Sequence, residues 1–242
     1  MSPLGTEMSQ LKASLGPSVQ EAGASPPLRA VVTGGSSGIG LATVKALRAR
    51  GVDTYDFSRS TGVDVRDDVA VANAYDDLEG VAQFLVASAG IIAPGPKFPE
   101  ANLDSWYDVM ETNVMGVVIA VGAHVRRLQE ARLPGKIVLL GSPSGKRPSM
   151  ENLAYGTSKA AVSALGIGLA RGLEVDGIKV YIVCPSHVDT PMLRHRGFDD
   201  LDAHKLLTAQ SVAEEIAYLL LEPNNLDGQV LYSGGEVRMK QE

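Results

Sequence analysis

Two ionisable side chains stand one helical turn apart in the segment Tyr155-Gly156-Thr157-Ser158-Lys159. Residues four positions apart lie on one face of a helix, so the phenol of Tyr155 and the ammonium of Lys159 can share a site. A nearby positive charge favours the phenolate and lowers the pKa of a tyrosine from its usual value of about 10. Tyr155 is therefore a candidate general acid or base. For the pair taken alone, chance spacing on a solvated helix is the simpler explanation.

Two further polar residues occupy positions that favour a site. Ser142 follows the strand-like run Lys136–Leu140, and its hydroxyl can donate a hydrogen bond to a carbonyl oxygen of a substrate. Asn113 lies in the otherwise apolar helical stretch Val109–Met115, where a buried amide needs a hydrogen-bond partner. Both residues are candidates for the same site as Tyr155.

A glycine-rich turn, Thr33–Gly40, joins an apolar run to a segment with helical periodicity. Gly34 suits the tight turn, Gly38 suits close approach of a ligand, and Gly40 suits packing of helix on strand. Unpaired N–H groups and the positive end of the helix dipole favour a diphosphate there. The glycine spacing is one residue wider than in G-x-G-x-x-G, so the turn alone fits a nucleotide site and ordinary turn chemistry equally well.

Strand-like and helix-like stretches alternate from Leu28 onward. Strands are predicted at Ala30–Thr33, Asp53–Phe57, Val63–Val65, Gln83–Ala87, Lys136–Leu140, Lys179–Val183 and Gln229–Tyr232. Helices are predicted at about 38–50, 67–78, 103–131, 153–175 and 211–221. This alternation is typical of the α/β class, in which helices cover both faces of a parallel sheet. Ligands of such sheets bind beyond the carboxyl ends of the strands.

The length of 242 residues suits one such domain. Residues 1–27 are rich in Ser, Gly, Pro and Ala and are predicted to form a mobile leader, with the domain at 28–242. The net charge of −6 and the absence of a basic run longer than Lys146-Arg147 argue against a nucleic-acid surface.

The single cysteine, Cys184, excludes an internal disulfide and is predicted to be a buried hydrophobe without chemistry. No apolar stretch approaches the ~20 residues that cross a bilayer, so we expect a cytoplasmic protein without a membrane partner. The histidines lack metal-ligand spacing with carboxylates, and we expect no metal. These histidines are His124, His187, His195 and His204.

The turn matches the pattern T-G-x-x-x-G-I-G, and four polar side chains follow it in the order Asn113, Ser142, Tyr155 and Lys159. With these residues the chain resembles the short-chain dehydrogenase/reductase family in its short, single-domain form. The resemblance implies a doubly wound, Rossmann-type parallel sheet of order 3-2-1-4-5-6-7. It also implies hydride transfer between nicotinamide and an alcohol or carbonyl compound.

The resemblance implies a role for each of these side chains. Tyr155 would give or take the proton of the alcohol, while Lys159 lowers the pKa of Tyr155 and holds the nicotinamide ribose. Ser142 would polarise the carbonyl. Asn113 would hold a water that links Lys159 to solvent, and Thr190 would contact the carboxamide.

The similarity extends from about Leu28 to Val237 and contains two departures. The segment Ala87-Ser88-Ala89-Gly90 stands where the family has N-N-A-G, so Ser88 is expected to bond locally instead. The segment Pro185–Thr190 is similar to P-G-x-V-x-T but has Ser186 in place of glycine. The end of the chain, through Gly234-Gly235, resembles the last strand and its glycines. Since neither departure touches the four polar side chains, we expect an active enzyme.

The family's dinucleotide site implies contacts at many positions. These are Gly34, Ser36, Ser37, Gly38, Ile39, Ser58, Arg59, Asp64, Val65, Ser88, Ala89, Gly90, Tyr155, Lys159, Pro185, Val188 and Thr190. Cofactor choice falls at Ser58, where a small hydroxyl beside the Arg59 guanidinium suits the 2′-phosphate of NADP(H). Asp56 argues for NAD(H) but lies two residues early. We therefore predict NADP(H), with NAD(H) as the alternative.

The predicted substrate is a small or medium alcohol or carbonyl compound. Three segments should wall its pocket, namely Ile91–Phe98, Pro143–Leu153 and Ser186–Leu207, with apolar side chains that include Pro143, Met150, Leu153, Met192, Leu193 and Phe198. The cluster Arg194-His195-Arg196 invites an acidic substrate, although a solvated loop explains it more simply.

Helix 109–121 is apolar on nearly every side, and small residues follow one another along 160–170. This excess of apolar and small surface predicts a homodimer or homotetramer. The alternative to an enzyme is a nucleotide-binding regulator of the same fold without turnover, for which the altered Ala87-Ser88 segment is the only support.

Overall fold

A parallel sheet of six strands organises the protein. The computed structural model describes residues 27–93, 98, 100–194 and 206–233. The strands are β1 (Arg29–Thr33), β2 (Asp53–Phe57), β3 (Phe84–Ala87), β4 (Gly135–Leu140), β5 (Ile178–Pro185), β6 (Val188–Asp189), β7 (Leu207–Thr208) and β8 (Val230–Ser233). The large sheet has the order β2-β1-β3-β4-β5-β8, and β6 and β7 form a separate pair.

The helices connect successive strands of this sheet. They are α1 (Gly38–Arg48), α2 (Asp68–Asp76), α3 (Leu103–Met110), α4 (Gly116–Ala131), α5 (Leu153–Leu173), α6 (Pro191–Arg194) and α7 (Ala209–Leu221). A π-helical turn, Glu111–Met115, joins α3 to α4 without a break. Short 3₁₀ turns lie at 59–61, 143–145, 150–152 and 174–176.

Both faces of the sheet are covered, which is why the middle positions of its central strands are apolar. Val31 of β1 packs with α2, α4 and α5 on one face, while Ala30 and Val32 pack with α1 and α7 on the other. All three side chains are fully buried. The predicted α/β class and doubly wound arrangement are thus confirmed.

The predicted strand Val63–Val65 is wrong. Only residues 58–62 separate it from the end of β2, whereas a parallel neighbour needs a crossover of about a dozen residues or more. The chain turns instead at Gly62, whose φ is 87°, and the Val63 N–H donates to the Ser58 carbonyl at 2.9 Å. Val65 is buried against Gly116 of α4. Within the described ranges, the sheet therefore has no counterpart of the outermost strand of the order 3-2-1-4-5-6-7, and the other strands keep that order.

The helical stretch Leu103–Ala131 also differs from expectation, because by length and composition it could cross a membrane. Core helices of globular proteins pass the same test. This one buries Val117, Val121 and Leu128 against the sheet and places His124 in the interior. The stretch is the central covering helix of the fold.

Several predicted features lie outside the described residues. They are residues 1–26 of the leader, His195 and Arg196 of the basic cluster, Phe198, His204 and the pair Gly234-Gly235.

Candidate active site

The glycine turn leaves no room for side chains. Gly34 and Gly38 have φ values of 67° and 51°, in the left-handed region that favours glycine. A Cβ atom on Gly34 would lie 2.8 Å from the Cα of Ala89, and one on Gly40 would lie 2.2 Å from the Gly34 carbonyl oxygen. The Ser37 side chain makes no capping hydrogen bond to α1. The turn thus offers bare backbone and the uncapped start of a helix, as an anion site requires.

Thr33 connects the glycine turn to the end of β3. Its hydroxyl accepts hydrogen bonds from the N–H groups of Ser88 and Ala89, both at 3.1 Å. The Ser88 N–H also lies 3.1 Å from the Val86 carbonyl oxygen. The segment that lacks the expected asparagines is therefore held through its backbone, and Thr33 supplies the acceptor.

Tyr155 and Lys159 lie together at the start of α5. The Lys159 Nζ atom is 5.7 Å from the centroid of the Tyr155 ring and donates a hydrogen bond to the Leu140 carbonyl at 2.7 Å. Burial lowers the pKa of Lys159 from its ordinary value of 10.5 to about 8, because charge is disfavoured away from water. The helix start and the end of β4 thus fix the cation beside the phenol.

Asn113 has the partners that its burial demands. Its Oδ1 accepts from the Ile91 N–H at 2.8 Å, and its Nδ2 donates to the Ile91 carbonyl at 2.9 Å and to Ser158 Oγ at 3.0 Å. It lies in the π-helical turn between α3 and α4, a distortion that is common at functional sites. Asn113 therefore ties the loop after β3 to the helix that carries Lys159.

Ser142 follows β4 and faces the same space as Tyr155 and Lys159. Its Oγ accepts from the Ser144 N–H at 3.2 Å, so its own proton stays available for a second partner. The three side chains line a cavity of about 180 Å³. Among the predicted cofactor contacts, this cavity also has Ile39, Ser88, Gly90, Pro185, Val188 and Thr190 on its walls.

A second cavity extends from the glycine turn to the end of β2. Among the predicted contacts it is lined by Gly34, Ser36, Ser37, Ser58, Arg59, Asp64, Val65, Ala89 and Gly90. The two cavities meet at Gly90, which lines both. Gly38 lines neither, although a Cβ atom on it would lie 3.3 Å from Thr190.

The pocket walls differ in part from those predicted. Pro143, Met192 and Leu193 line the cavity beside Tyr155. Phe98, Met150 and Leu153 instead line a separate small cavity with Trp106. Met150 lies in the 3₁₀ turn before α5, and Leu153 is the first residue of that helix.

Sequence reasoning missed several lining residues. Among them are Ser60 and Arg66 of the second cavity. His187, which lies within the predicted wall segment Ser186–Leu207, lines the first. The Arg66 guanidinium lies 2.7 Å from Asp64 Oδ2, and this hydrogen bond holds the pKa of the Asp64 carboxyl below its usual range. Ser60 had a sequence signal, since it shares one short turn with Ser58 and Arg59. No sequence signal indicated the contact between Arg66 and Asp64.

Comparison with known proteins shows the family to which the chain belongs. The family model described as short chain dehydrogenase matches residues 59–200, more than half of the chain. The chain belongs to the short-chain dehydrogenase family. An uncharacterised oxidoreductase of Staphylococcus epidermidis is 31% identical over 218 residues, which cover 82% of this chain and 93% of the relative.

One further relative carries the name of a dehydrogenase, and one solved structure shares the fold. The cis-4-hydroxycyclohexanecarboxylate dehydrogenase of Sinomonas cyclohexanicum is 32% identical over 219 residues, covering 78% of this chain and 88% of the relative. The solved structure of ElxO with NADP bound superimposes with a TM-score of 0.74 at 22% identity, covering 85% of this chain and 96% of that one. The family resemblance read from the sequence is confirmed, and the chain belongs to a family of oxidoreductases.

Proposed function

We propose that this short-chain dehydrogenase interconverts an alcohol and a carbonyl compound with NADP(H), using Tyr155 as the general acid or base. The observation that carries the proposal is the placement of Tyr155, Lys159 and Ser142 on one cavity that continues into the glycine turn. Lys159 is only 6% exposed and lies beside Tyr155 near the end of β4. Lysines are rarely buried in a core that serves packing alone, so this placement favours a functional role.

The residues present fit a nicotinamide dinucleotide. The glycine turn has no space for Cβ atoms and can receive a diphosphate against Ser36, Ser37 and Ile39. Asp64 and Val65 would flank the adenine, while Pro185, Val188 and Thr190 would surround the nicotinamide. Ser88, Ala89 and Gly90 would line the middle of the molecule. Bound in this way, the cofactor would supply or accept the hydride.

The side chains of the protein would handle the proton. Ser142 would donate to the substrate oxygen and hold it near the Tyr155 hydroxyl, which then passes its proton to that oxygen during reduction. Lys159 has three N–H donors, of which the Leu140 carbonyl takes one. The other two remain for the ribose hydroxyls and for the proton path.

We propose Asn113 as the support of that proton path. Both polar atoms of its side chain already bind Ile91 and Ser158, so a water would use the second lone pair of Oδ1. Asn113 would thus act partly by position, since it holds the loop after β3 beside Lys159.

We propose NADP(H) as the preferred nucleotide because Arg59 offers a guanidinium at the edge of the second cavity. No ion pair among the described residues involves Arg59, so it can bind a 2′-phosphate in a forked geometry. ElxO, which shares the fold, was solved with NADP bound.

A reductase screen tests the proposal directly. Purified protein would be mixed with NADPH or NADH and a panel of aldehydes, cyclic ketones and oxo acids, and oxidation of the cofactor followed by absorbance. We expect turnover with at least one carbonyl class. Tight nucleotide binding without turnover of any panel member, or of the matching alcohols with the oxidised cofactors, would favour the regulator.

We further propose a homodimer or homotetramer through α4 and α5. Exposed Val118 and Gly122 on α4 border an open groove that also has Val125, Leu165 and Leu169 on its walls. Ala164 and Gly168 are exposed on α5, whereas Gly166 faces the sheet, where a Cβ atom would lie 2.5 Å from Ile182. Light scattering of the native protein and of Val118→Lys would test this assembly. Loss of the oligomer in the variant is the expected result.

We also propose a cytoplasmic location and a division into a leader at 1–27 and a catalytic domain at 28–242. The single cysteine, Cys184, is buried, and burial raises the pKa of its thiol to about 11, which keeps it unreactive. Removal of residues 1–27 is expected to leave nucleotide binding intact, as a titration of the truncated protein would measure.

A further inference from the structure

A carboxylate lies beneath the glycine turn at the end of β2. The Oδ1 atom of Asp56 is buried and has no hydrogen-bond partner among the residues that the structure describes. A Cβ atom on Gly35 would lie 2.6 Å from Oδ1, so the carboxylate packs directly against the turn. A buried acceptor without a donor is uncommon and calls for an explanation.

The second carboxylate oxygen of Asp56, Oδ2, sets the direction of the hydrogen bonds of two serine hydroxyls. Ser58 Oγ donates to Asp56 Oδ2 at 3.1 Å, and Ser58 Oγ and Ser60 Oγ are 2.9 Å apart. A carboxylate only accepts, and a hydroxyl has one proton. Because Ser58 gives its proton to Asp56, Ser60 must be the donor in the contact between the serines.

This hydrogen-bond order decides what the turn can bind. The Ser60 hydroxyl donates its proton to Ser58, and the Ser58 hydroxyl donates its proton to Asp56. The two serine oxygens therefore present lone pairs, and no protons, to the cavity. A ribose 2′-hydroxyl can donate to such a lone pair. A 2′-phosphate cannot, since its ionised oxygens accept, and the charge of Asp56 repels it. Arg59 on the same turn has the opposite preference.

We infer that Asp56 is a positioning residue that acts through Ser58 and Ser60 to restrain the preference for NADP(H) over NAD(H). The inference rests on the proposed function, in which this turn is the 2′ subsite. Arg59 supplies the affinity for phosphate, and Asp56 keeps the two hydroxyls as acceptors, so both nucleotides bind.

The test is a double-mutant cycle on nucleotide affinity. Dissociation constants of NADPH and NADH would be measured by fluorescence titration for the native chain, Asp56→Ala, Ser58→Ala and the double variant. Asp56→Ala frees the Ser58 proton, so NADPH should bind about tenfold more tightly, as expected for one hydrogen bond to a charged group. Affinity for NADH should not rise. The gain should disappear when Ser58→Ala is added.

Two more variants complete the experiment, one as a matched control and one as a substitute for Asp56→Ala. Asp53→Asn removes the same charge from an exposed position on the same strand and should change the affinity ratio less than twofold. Asp56→Asn keeps the volume of the side chain, so it replaces Asp56→Ala if that variant does not fold. It should also shift the affinity ratio toward NADPH, because a neutral amide oxygen holds the Ser58 proton less strongly than a carboxylate does, and this shift too should disappear when Ser58→Ala is added.

Each outcome has a distinct meaning. An unchanged NADPH to NADH affinity ratio in the folded Asp56 variants would overturn the inference. An equal gain with and without Ser58 would overturn it too, because Asp56 would then act by charge alone. If the native chain binds neither nucleotide, the proposed function fails first, and the inference falls with it.

Discussion

The two ends of the site are built in opposite ways. At the catalytic end, Asn113 is fully buried and Lys159 is 6% exposed. Asn113 donates to the Ile91 carbonyl in the loop after β3, and Lys159 donates to the Leu140 carbonyl at the end of β4. At the other end, Arg59 is exposed on a short turn, and Asp64 pairs with Arg66 two residues away. The first set depends on the fold as a whole, and the second depends on one local segment.

This difference separates chemistry from cofactor choice. Changing a catalytic side chain removes contacts that also hold the core together, so stability and activity should fall together. Changing the turn after β2 alters what the cavity recognises while the sheet stays intact. The predictions below test whether the two ends behave so differently.

The largest expected effect is on the rate. Tyr155→Phe removes the proton donor and should lower kcat by about 10²- to 10⁴-fold with little change in NADPH affinity. Steady-state kinetics with a substrate found in the screen would measure it. Tyr218→Phe, on the exposed side of α7, is the matched control and should keep full activity. A Tyr155→Phe rate within threefold of the native rate would remove Tyr155 from the mechanism.

A large effect on stability is expected at Asn113. Asn113→Ala strands the N–H and carbonyl groups of Ile91 and should lower the free energy of unfolding by about 3 kcal/mol. Urea denaturation would measure the loss. Asn73→Ala, at an exposed position of α2, should stay within about 0.5 kcal/mol of the native value. Equal effects of the two variants would contradict the buried network.

The burial of Lys159 at the catalytic end of the site should make the free energy of unfolding depend on pH. The pKa of Lys159 is about 8 in the folded protein against an ordinary 10.5, so above pH 8 the unfolded chain binds more protons. The stability of the native protein relative to Lys159→Met should therefore rise by up to about 3 kcal/mol between pH 8 and 10.5. Urea unfolding at several pH values would show it. A difference that does not change with pH would mean that the lysine is not desolvated.

The smallest effect on stability is expected at Arg59. Arg59→Ala should weaken NADPH binding about tenfold, leave NADH binding unchanged and leave the unfolding free energy within about 0.5 kcal/mol of the native value. Arg59→Lys keeps the charge but loses the fork, so its NADPH affinity should be intermediate. Fluorescence titration measures both. Equal losses for NADPH and NADH would place Arg59 outside the 2′ subsite.

The same contrast explains what the sequence could predict. Apolar strands and glycine turns obey local rules, so the helices and the order of the sheet followed from periodicity and resemblance. The alternation of valines at Val63–Val65 is typical of a strand. The prediction is wrong because a parallel strand needs a longer crossover from β2 than the chain provides there.

Contacts between distant residues were harder to foresee. The burial of Asn113 predicted that it had partners, but pairing with Ile91 depends on the loop after β3. The series of hydrogen bonds from Ser60 through Ser58 to Asp56 depends on the backbone path of one turn. No pattern of residue types specifies that path. The closeness of Asp56 to Gly35 likewise depends on how α1 packs on β2.

The central claim is that one dinucleotide spans both cavities, and thermal unfolding tests it most directly. Native protein would be heated alone, with NADP and with NAD, beside a Gly34→Val variant whose side chain would block the turn. At about one hundred times its dissociation constant, NADP should add ~2.7 kcal/mol and raise the native Tm by several degrees, more than NAD at equal concentration. The variant should not respond. No shift of the native protein with either nucleotide would contradict the account.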